Sequence, residues 1–342
     1  MTLKFDDVYV TEVACVVGPH EKNGPLKEYF DKCYDDFYMG EKSWEKAESK
    51  LSSESIKILL SKAHLNKEDI DLIIAGDLSN QIASSCYAIL NYNIPFLGIY
   101  SACSTSTEGI LLASLFVNSK ASKKVIVTVS SHNMASEKQF RNPTEYGAPK
   151  PNSSTFTSTG GASILITNNK SNVKIESCTI GRVCDMNQKD ANNMGAVMAI
   201  AAADTIYKHL KDTKRNASYY DLIITGDLGV YGKKIFLEYM KKNYNIDVSL
   251  NHNDSGIMLF DMKNDKDIHA GGSGPACSPL VNYSYIIPLL KKGKLKRVLI
   301  AATGALFSPT TLYQKENILS ISHVVSLESV KWRTYIHFYL QD

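Results

Sequence analysis

Cys103 is the residue of this sequence that is best placed to do chemistry. It stands between a short apolar run with a proline near its start, residues 94–100, and a second apolar run with helical spacing, residues 110–117. The runs predict a buried strand that turns into a helix, with Ser104 among the hydroxyl residues able to cap it. Backbone N–H groups at such a turn favour a thiolate and bind anions. The alternative is a small buried hydrophobic side chain, the role of most free cysteines.

Two histidines could supply the acid or base that a cysteine nucleophile requires. His132 follows the predicted strand 124–130 and would therefore face the same crevice as Cys103. His252 lies in an Asn-His-Asn-Asp stretch of the second half of the chain. Either one could instead be an ordinary hydrogen-bonded loop histidine. If both flanked Cys103, a thioester-hydrolysing or acyl-carrying activity would be possible.

Two Gly-Asp pairs end equivalent predicted strands, at Asp77 and at Asp227. Because the pair occurs in both places, we interpret both carboxylates as turn formers that accept backbone N–H groups. Asn80 and Gln81 have no counterpart after the second pair, so they are better candidates for a binding role. Gly272 belongs to a Gly-Gly-Ser-Gly run, which permits close approach of two backbone segments.

Arg141 is the best candidate cation for the crevice beside Cys103. Its forked guanidinium is suited to a carboxylate. A surface or interface ion pair with Glu145 is an equally good explanation of Arg141, and the sequence leaves both open.

The sequence contains an internal duplication. Several stretches return in the same order in the second half, and three such coincidences indicate a duplicated half-domain. The repeated pairs are residues 71–78 with 221–228, residues 123–130 with 296–303, and the Ala-Cys-Ser triplets at Cys103 and Cys277. The first pair is offset by 150 positions and the others by about 173, so we expect an insertion within residues 245–270.

Short apolar strands alternate with helical patterns in both halves. The predicted strands are 8–17, 71–76, 95–100, 124–130, 161–167, 174–183, 221–226, 268–272, 297–303 and 322–328. The predicted helices are 43–64, 82–91, 105–118, 195–211, 233–243 and 278–291. This alternation predicts an α/β protein with two largely parallel sheets covered by helices and related by a pseudo-dyad. The predicted divisions are residues 1–170, residues 171–328 and an unassigned tail, residues 329–342.

Composition excludes several classes of function. The chain has 342 residues, 44% of them hydrophobic, and a formal charge of +3, which gives no basis for nucleic-acid binding. Its seven cysteines include no C-x-x-C pair and no spacing typical of a zinc site, so we expect no structural metal. The N-terminus has no signal-peptide pattern, and no apolar stretch is long enough for a membrane span.

The duplicated halves, the cysteine before a helix and the glycine-rich turn together resemble the thiolase and ketoacyl synthase superfamily. More narrowly, the sequence resembles the stage V sporulation protein AD family of endospore-forming bacteria. The stretches that carry the resemblance are residues 18–26, 72–81, 102–106, 130–133, 139–147, 201–205, 251–254, 270–274 and 302–306. The resemblance extends from about residue 8 to about residue 328, and the tail beyond has no recognised counterpart.

The resemblance implies a thiolase-like fold with layered αβαβα architecture. It also implies a protein that binds dipicolinic acid (pyridine-2,6-dicarboxylic acid) or its calcium chelate, and that supports uptake of this ligand into the developing spore. Membrane subunits of the same spore channel, a homodimeric state and a peripheral position on the cytosolic side of the spore inner membrane are implied as well. No cofactor is expected.

A pocket for this flat dianion needs paired donors at each carboxylate and apolar walls for the ring. We therefore expect the ligand to lie near the start of the helix after Cys103. The expected ligand-binding residues are Cys103, His132, Arg141, Asn80, Gln81, Ser104, His252 and Gly272.

Two catalytic parts of the superfamily have no match in this sequence. Cys277 and Ser278 stand where a thiolase has a Gly-His pair, and residues 302–308 replace the late segment that carries the acid/base cysteine. We therefore expect no catalysis. The alternatives are an acyltransferase that uses Cys103 with acyl-CoA or an acyl carrier, and a scaffold subunit with a vestigial site.

Overall fold

The computed structural model describes residues 1–140 and 150–331. The strands are β1 (Thr2–Lys4), β2 (Tyr9–Val17), β3 (Lys32–Cys33), β4 (Leu72–Gly76), β5 (Phe96–Gly98), β6 (Lys124–Ser131), β7 (Phe156–Thr157), β8 (Gly160–Thr167), β9 (Val173–Thr179), β10 (Cys184–Asp185), β11 (Leu222–Thr225), β12 (His252–Asp254), β13 (Gly272–Ser273), β14 (Arg297–Leu306) and β15 (Leu319–Ser329).

The helices are α1 (Pro19–Lys22), α2 (Trp44–Ala63), α3 (Ala83–Ile89), α4 (Thr105–Asn118), α5 (Asn133–Phe140), α6 (Met194–Thr213), α7 (Gly229–Tyr244), α8 (Ser255–Leu259), α9 (Cys277–Val281), α10 (Ile287–Lys291) and α11 (Pro309–Tyr313). A π-helical segment, Asn282–Ile286, joins α9 to α10, so the three form one continuous helix.

The two halves of the main sheet have equivalent strand orders when each is followed from its outer edge to the centre. In the first half the order is β5-β4-β6-β8-β2, and in the second it is β12-β11-β14-β15-β9. In each half three strands pair in parallel and the last two add antiparallel. The carboxyl ends of the parallel strands in each half therefore point the same way, where loops and helix starts can meet.

The two halves are hydrogen-bonded into one sheet, which corrects the prediction of two separate sheets. The junction is short: Tyr9 pairs with Lys174, and Val10 pairs with Val173. These residues lie where β2 and β9 run antiparallel beside each other, so their exposed edges satisfy each other's backbone groups.

Helices cover both faces of this sheet in layers. Helices α2 and α3 pack on the first-half strands, and α6 and α7 pack on the second-half strands. Helix α4 lies between the halves in contact with both β6 and β14, and the α9–α10 helix contacts β8 and β15. A helix enclosed in this way must be apolar on most sides, as the buried Ile110, Leu111 and Val117 of α4 are. Because α4 lies between strands of both halves, each half of the sheet forms a β layer of its own, which gives the predicted αβαβα architecture.

The strand predicted as buried before Cys103 is instead the partly exposed edge strand β5, in which Leu97 is 40% accessible. Another predicted strand is at the wrong place. The third parallel strand of the second half is β12, within the expected insertion, whereas in the predicted stretch 268–272 only Gly272 is extended, in β13, which pairs with β7 outside the main sheet. In β12, His252 and Asp254 are polar yet buried. Their side chains are satisfied because Thr225 on the neighbouring strand β11 hydrogen-bonds both of them. An apolar pattern could not reveal it.

Residues 141–149 and 332–342 lie outside the described residues, and Arg141 with them. In the two described ranges, no helix is both long enough and apolar enough to cross a membrane.

Candidate functional site

Cys103 follows a tight turn at the start of α4. Ala102 has a φ of 47°, a left-handed conformation that costs energy for a residue other than glycine, and Cys103 itself is buried. The Thr105 hydroxyl donates to the Ala102 carbonyl at 2.6 Å and accepts from the Ser101 N–H at 3.1 Å. The Ser104 hydroxyl bonds the Ser101 carbonyl at 2.8 Å. These hydroxyl groups hold the strained turn rather than pointing free donors at a ligand.

The Cys103 thiol has a carboxylate as its partner. It lies beside the Asp227 carboxyl group and the Gly274 N–H group, and both act on the pKa of the thiol. The Thr303 hydroxyl donates to Oδ1 of Asp227 at 2.6 Å, and Gly274 N–H donates to Oδ2 at 3.3 Å. The cysteine of the first half is thus joined to an aspartate, a glycine turn and a strand of the second half.

Burial and the adjacent carboxylate keep Cys103 protonated. Burial raises the pKa of the Cys103 thiol well above its usual value, and the charge of Asp227 raises it further. Burial also raises the pKa of Asp227 to about 7, while the Thr303 hydrogen bond acts in the opposite direction. Near neutral pH the pair therefore consists of a neutral thiol and a carboxyl group that is readily protonated.

Asp254 positions the loop that carries Asp227. Its Oδ2 accepts from the Thr225 hydroxyl at 2.7 Å and from Leu228 N–H at 3.0 Å. Its Oδ1 accepts from Gly229 N–H at 3.0 Å, where the backbone has a φ of 63° that favours glycine. Since these bonds pin the residues on both sides of Asp227, Asp254 fixes the direction of its side chain.

His252 belongs to this supporting layer. Its Nε2 donates to the Thr225 hydroxyl at 3.0 Å, and its ring packs on Phe236 with centroids 4.6 Å apart. Burial lowers the pKa of His252 to about 3, so the ring is neutral. The structure places His252 beside Thr225, which also hydrogen-bonds Asp254, rather than beside the Cys103 thiol.

His132 is also fully occupied by backbone groups. Its Nε2 donates to the Phe37 carbonyl at 2.8 Å, and its Nδ1 accepts from Ala135 N–H at 3.4 Å. Burial lowers the pKa of His132, which favours the neutral ring. These contacts are those of a structural loop histidine that caps α5.

Asn80 and Gln81 lie on the surface beside the first Gly-Asp turn. The Asn80 N–H donates to the side chain of Gln139 at 2.8 Å, and Gln81 has a φ of 57°. Next to them is a polar cavity of about 290 Å³ whose lining includes Gln139 and the buried Glu48. Neither Asn80 nor Gln81 lines this cavity, whereas Gln139, which accepts from the Asn80 N–H, does.

Gly272 lies where the two halves meet. It pairs with Phe156 across β13 and β7, and a Cβ atom there would be 3.1 Å from Sγ of Cys277 and 2.8 Å from the Phe260 ring. The expected close approach is therefore present. Cys277 is buried, and burial together with the charge of Asp227 raises its pKa well above the usual value.

Two residues of this region were missed by the sequence analysis. Asp227 was interpreted as a turn former only, which its contact with Cys103 corrects. His323 was not considered, although its Nε2 lies 3.4 Å from the Ser101 hydroxyl. Its Nδ1 accepts from Gly181 N–H at 3.3 Å, so Nε2 carries the proton and donates. Burial lowers the pKa of His323 to about 4, which keeps it neutral.

Comparisons with known proteins agree with this fold. The family model of stage V sporulation protein AD (SpoVAD) matches residues 1–328. A relative from Bacillus subtilis (strain 168), stage V sporulation protein AD, is 44% identical over 321 residues, which are 94% of each chain.

Among solved structures, OleA from Xanthomonas campestris is similar with a TM-score of 0.62 and 13% identity, covering 95% of this chain and 99% of that one. The 3-oxoacyl-[acyl-carrier-protein] synthase III from Aquifex aeolicus VF5 has a TM-score of 0.58 and 13% identity, covering 94% and 99%. At this identity the likeness concerns the fold alone, which is thiolase-like.

Proposed function

The chain belongs to the stage V sporulation protein AD family and has a role in sporulation, and on that premise we propose that it binds dipicolinic acid without catalysing a reaction. The ligand, free or as its calcium chelate, would be bound during its uptake into the developing spore.

One observation carries the non-catalytic part of this proposal: the partner of the Cys103 thiol is the buried carboxyl group of Asp227. An acyl-transfer site needs a thiolate and donors that stabilise an oxyanion. A carboxylate beside the sulfur opposes both, because it disfavours every further negative charge in the same buried volume. The two histidines proposed as acid or base, His132 and His252, are engaged elsewhere.

The same carboxyl group can assist binding when it is protonated. With a pKa of about 7, Asp227 can carry a proton and donate a hydrogen bond to a carboxylate oxygen. A dianion would therefore bind the protonated form and be repelled by the ionised one. Arg141, outside the described residues, is the cation that we propose for the second carboxylate.

We propose a homodimer formed through the edge of the first half. Strand β5 pairs only with β4 in the described ranges, so its other edge is free. Large apolar side chains are exposed beside it, with 71% of Tyr87, 71% of Leu90, 40% of Leu97 and 46% of Tyr100 accessible. A second copy paired along this edge would cover them. Leu90→Glu combined with Leu97→Glu should then yield a monomer in light scattering, and an unchanged mass would reject this edge.

Membrane subunits of the same spore channel are the partners that we propose for the complex. The protein would then lie peripherally on the cytosolic side of the spore inner membrane and be held there by those subunits.

Acyl transfer from acyl-CoA is the second candidate function. The observation that favours it is the strained turn at Ala102, which presents Cys103 at the start of a buried helix as a nucleophile would be presented. Stable acylation of Cys103, detected by mass spectrometry of the intact protein and its peptides, would support this candidate.

Calorimetry with dipicolinate tests the proposal, with its calcium chelate and an isomeric pyridine dicarboxylate as comparison ligands. Saturable binding that prefers the 2,6-isomer is the expected result. Arg141→Ala should weaken binding, whereas Arg182→Ala should not, since the Arg182 guanidinium is already paired with Asp204. Absence of binding together with an acyl adduct on Cys103 would support the enzyme. Absence of both would indicate a scaffold with a vestigial site.

A further inference from the structure

Three metal-ligating side chains converge at a place that the proposed function does not use. His20, Asp265 and Asp267 each bring one ligand atom within 4.8 Å of the other two. His20 belongs to α1 of the first half, and the two aspartates belong to the loop before β13 of the second half. The cluster is separate from the Cys103–Asp227 pair and bridges the same two halves.

The imidazole of this cluster is held in a fixed orientation. Its Nδ1 lies 2.7 Å from Oδ2 of Asp265. Its ring packs against Phe156 and Phe37, with centroids 4.8 and 5.7 Å away. The side chains of His20 and Asp265 are still 22% and 27% exposed, so an ion can reach them from solvent. Ligands that are positioned before binding and open on one side are what a metal site requires.

The aspartate loop is ordered by its own hydrogen bonds. Oδ1 of Asp265 accepts from Asp267 N–H at 3.1 Å, and the Asp265 N–H donates to the Asp261 carbonyl at 3.0 Å. The buried Ile268 anchors the end of the loop. One carboxylate oxygen of Asp265 therefore faces His20 while the other holds Asp267 beside it.

A buried carboxylate next to the cluster supplies an independent observation. Glu21 is fully buried, and its Oε1 accepts from Thr159 N–H at 2.8 Å. Its Oε2 is also buried and has no hydrogen-bond partner among the described residues. Glu21 follows His20 directly in α1, which places it next to the cluster. An unpaired buried carboxylate oxygen calls for an ion or a water molecule beside it.

The surrounding charges favour a cation. The ion pair that the structure gives Asp265 is with His20 itself, and Lys22 of α1 pairs with Asp35 instead. Two lysines, Lys263 and Lys266, lie in the aspartate loop, but neither forms an ion pair with Asp265 or Asp267 among the described residues. The carboxylates of Asp265 and Asp267 therefore create a negative potential that a divalent ion would neutralise.

We propose that His20, Asp265 and Asp267 form a binding site for a divalent first-row transition cation such as Mn²⁺ or Zn²⁺. One imidazole nitrogen and carboxylate oxygens are a mixed ligand set that suits these ions, whereas Ca²⁺ takes oxygen ligands alone. The ion would replace the hydrogen bond between His20 and Asp265, and water would complete its coordination. Bound there, it would tie α1 to the loop before β13 and so strengthen the contact between the halves.

Titration of the tag-free full-length chain with Mn²⁺ tests this site, followed by electron paramagnetic resonance of the free ion and by calorimetry. One ion per chain is expected, displaced by Zn²⁺ and not by Mg²⁺. His20→Ala and Asp267→Asn should each weaken binding about tenfold or more. His64→Asn and Asp247→Asn, which change an exposed histidine and an exposed aspartate elsewhere, should leave affinity within about twofold.

Two results would overturn the proposal: an unfilled site at about 1 mM Mn²⁺ and Zn²⁺, or equal affinities for all four variants. If His20→Ala does not fold, His20→Gln replaces it, because glutamine can keep a hydrogen bond to Asp265 while being a poorer ligand. Melting curves without metal separate a lost site from a lost fold.

Discussion

The chain contains the same Gly-Asp turn twice, and the two carboxylates have different partners. Asp77, after β4, is surrounded by local donors: the N–H groups of Ser79 and Ser85 at 2.7 Å, the Ser85 hydroxyl at 2.5 Å, and the Ser79 hydroxyl. Asp227, after β11, reaches across the molecule to the Cys103 thiol. The Asp77 carboxylate is thus bonded to donors of its own turn, whereas the Asp227 carboxyl group contacts segments that are distant in the chain.

The sequence around each turn explains the difference. The positions that correspond to Ser79 and Ser85 in the second half are Gly229 and Ile235, which have no hydroxyl group. Asp227 therefore lacks those side-chain donors and is satisfied by Gly274 and Thr303 from distant segments. These bonds leave room for the Cys103 thiol beside Asp227.

The largest expected effect is on stability, and it should differ between the two aspartates. Asp77→Asn would place an amide NH₂ group against donors that now face a carboxylate, at a cost of about 2–4 kcal/mol of unfolding free energy. Asp227→Asn should cost less than about 1 kcal/mol at pH 7, because the carboxyl there is already close to neutral. Urea denaturation of both variants gives the comparison, and equal losses would contradict it.

The next effect concerns the reactivity of Cys103. Asp227→Asn removes the charge that raises the pKa of the thiol, so alkylation of Cys103 by iodoacetamide should become roughly tenfold faster at pH 8. Cys86 is exposed and reacts in any case, so both proteins should carry Cys86→Ser. Asp77→Asn, where it folds, is the matched control and should leave the rate unchanged. A rate unaffected by Asp227→Asn would show that Asp227 does not control the thiol.

Ligand binding should depend on pH through the same group. If dipicolinate binds the protonated form of Asp227, whose pKa is about 7, affinity is greatest below that pH and falls above it. The ligand should bind about tenfold more weakly at pH 8 than at pH 6, because ordinary carboxylic acids stay ionised over that range. Asp227→Asn should abolish the dependence, and calorimetry at several pH values measures it. Affinity that rose with pH would contradict the proposed proton donor.

The smallest expected effect concerns Thr303, one of the distant residues that donate a hydrogen bond to Asp227. Thr303→Val removes the hydroxyl that donates to Asp227 at 2.6 Å, and should cost about 1 kcal/mol of stability. Because that bond favours the ionised carboxylate, its loss should also move the pH midpoint of ligand binding upward. Ser308→Ala, at the cap of α11, is a comparison of similar stability cost that should leave the midpoint unchanged.

Most of the fold could be predicted from the sequence, because its elements have clear local signals. The helices predicted at 43–64 and 105–118 are observed at Trp44–Ala63 and Thr105–Asn118. Strand β12 could not be predicted, because its polar side chains are buried only through bonds to a neighbouring strand. Pairing of the two halves into one sheet likewise depends on contacts between distant strands.

The site was predictable only in part, for the same reason. The position of Cys103 at a strand-to-helix turn follows from the runs on either side of it. The role of Asp227 does not, since it depends on a contact between segments far apart in the chain. The missing hydroxyls at Gly229 and Ile235 were the one signal present in the sequence. Because the Gly-Asp pair occurs in both halves, it suggested the same turn-forming role for both aspartates and drew attention away from this difference.

The pH dependence of Cys103 alkylation in the otherwise unchanged protein is the most direct test of this account. With Cys86→Ser as background, the rate at Cys103 can be followed by peptide mass spectrometry from pH 6 to pH 10. The alkylation rate should stay low and still be rising above pH 9, because burial and Asp227 keep the thiol protonated. A rate that reached a plateau near pH 7 would reveal a thiolate, contradict the binding role and indicate an acyl-transfer nucleophile.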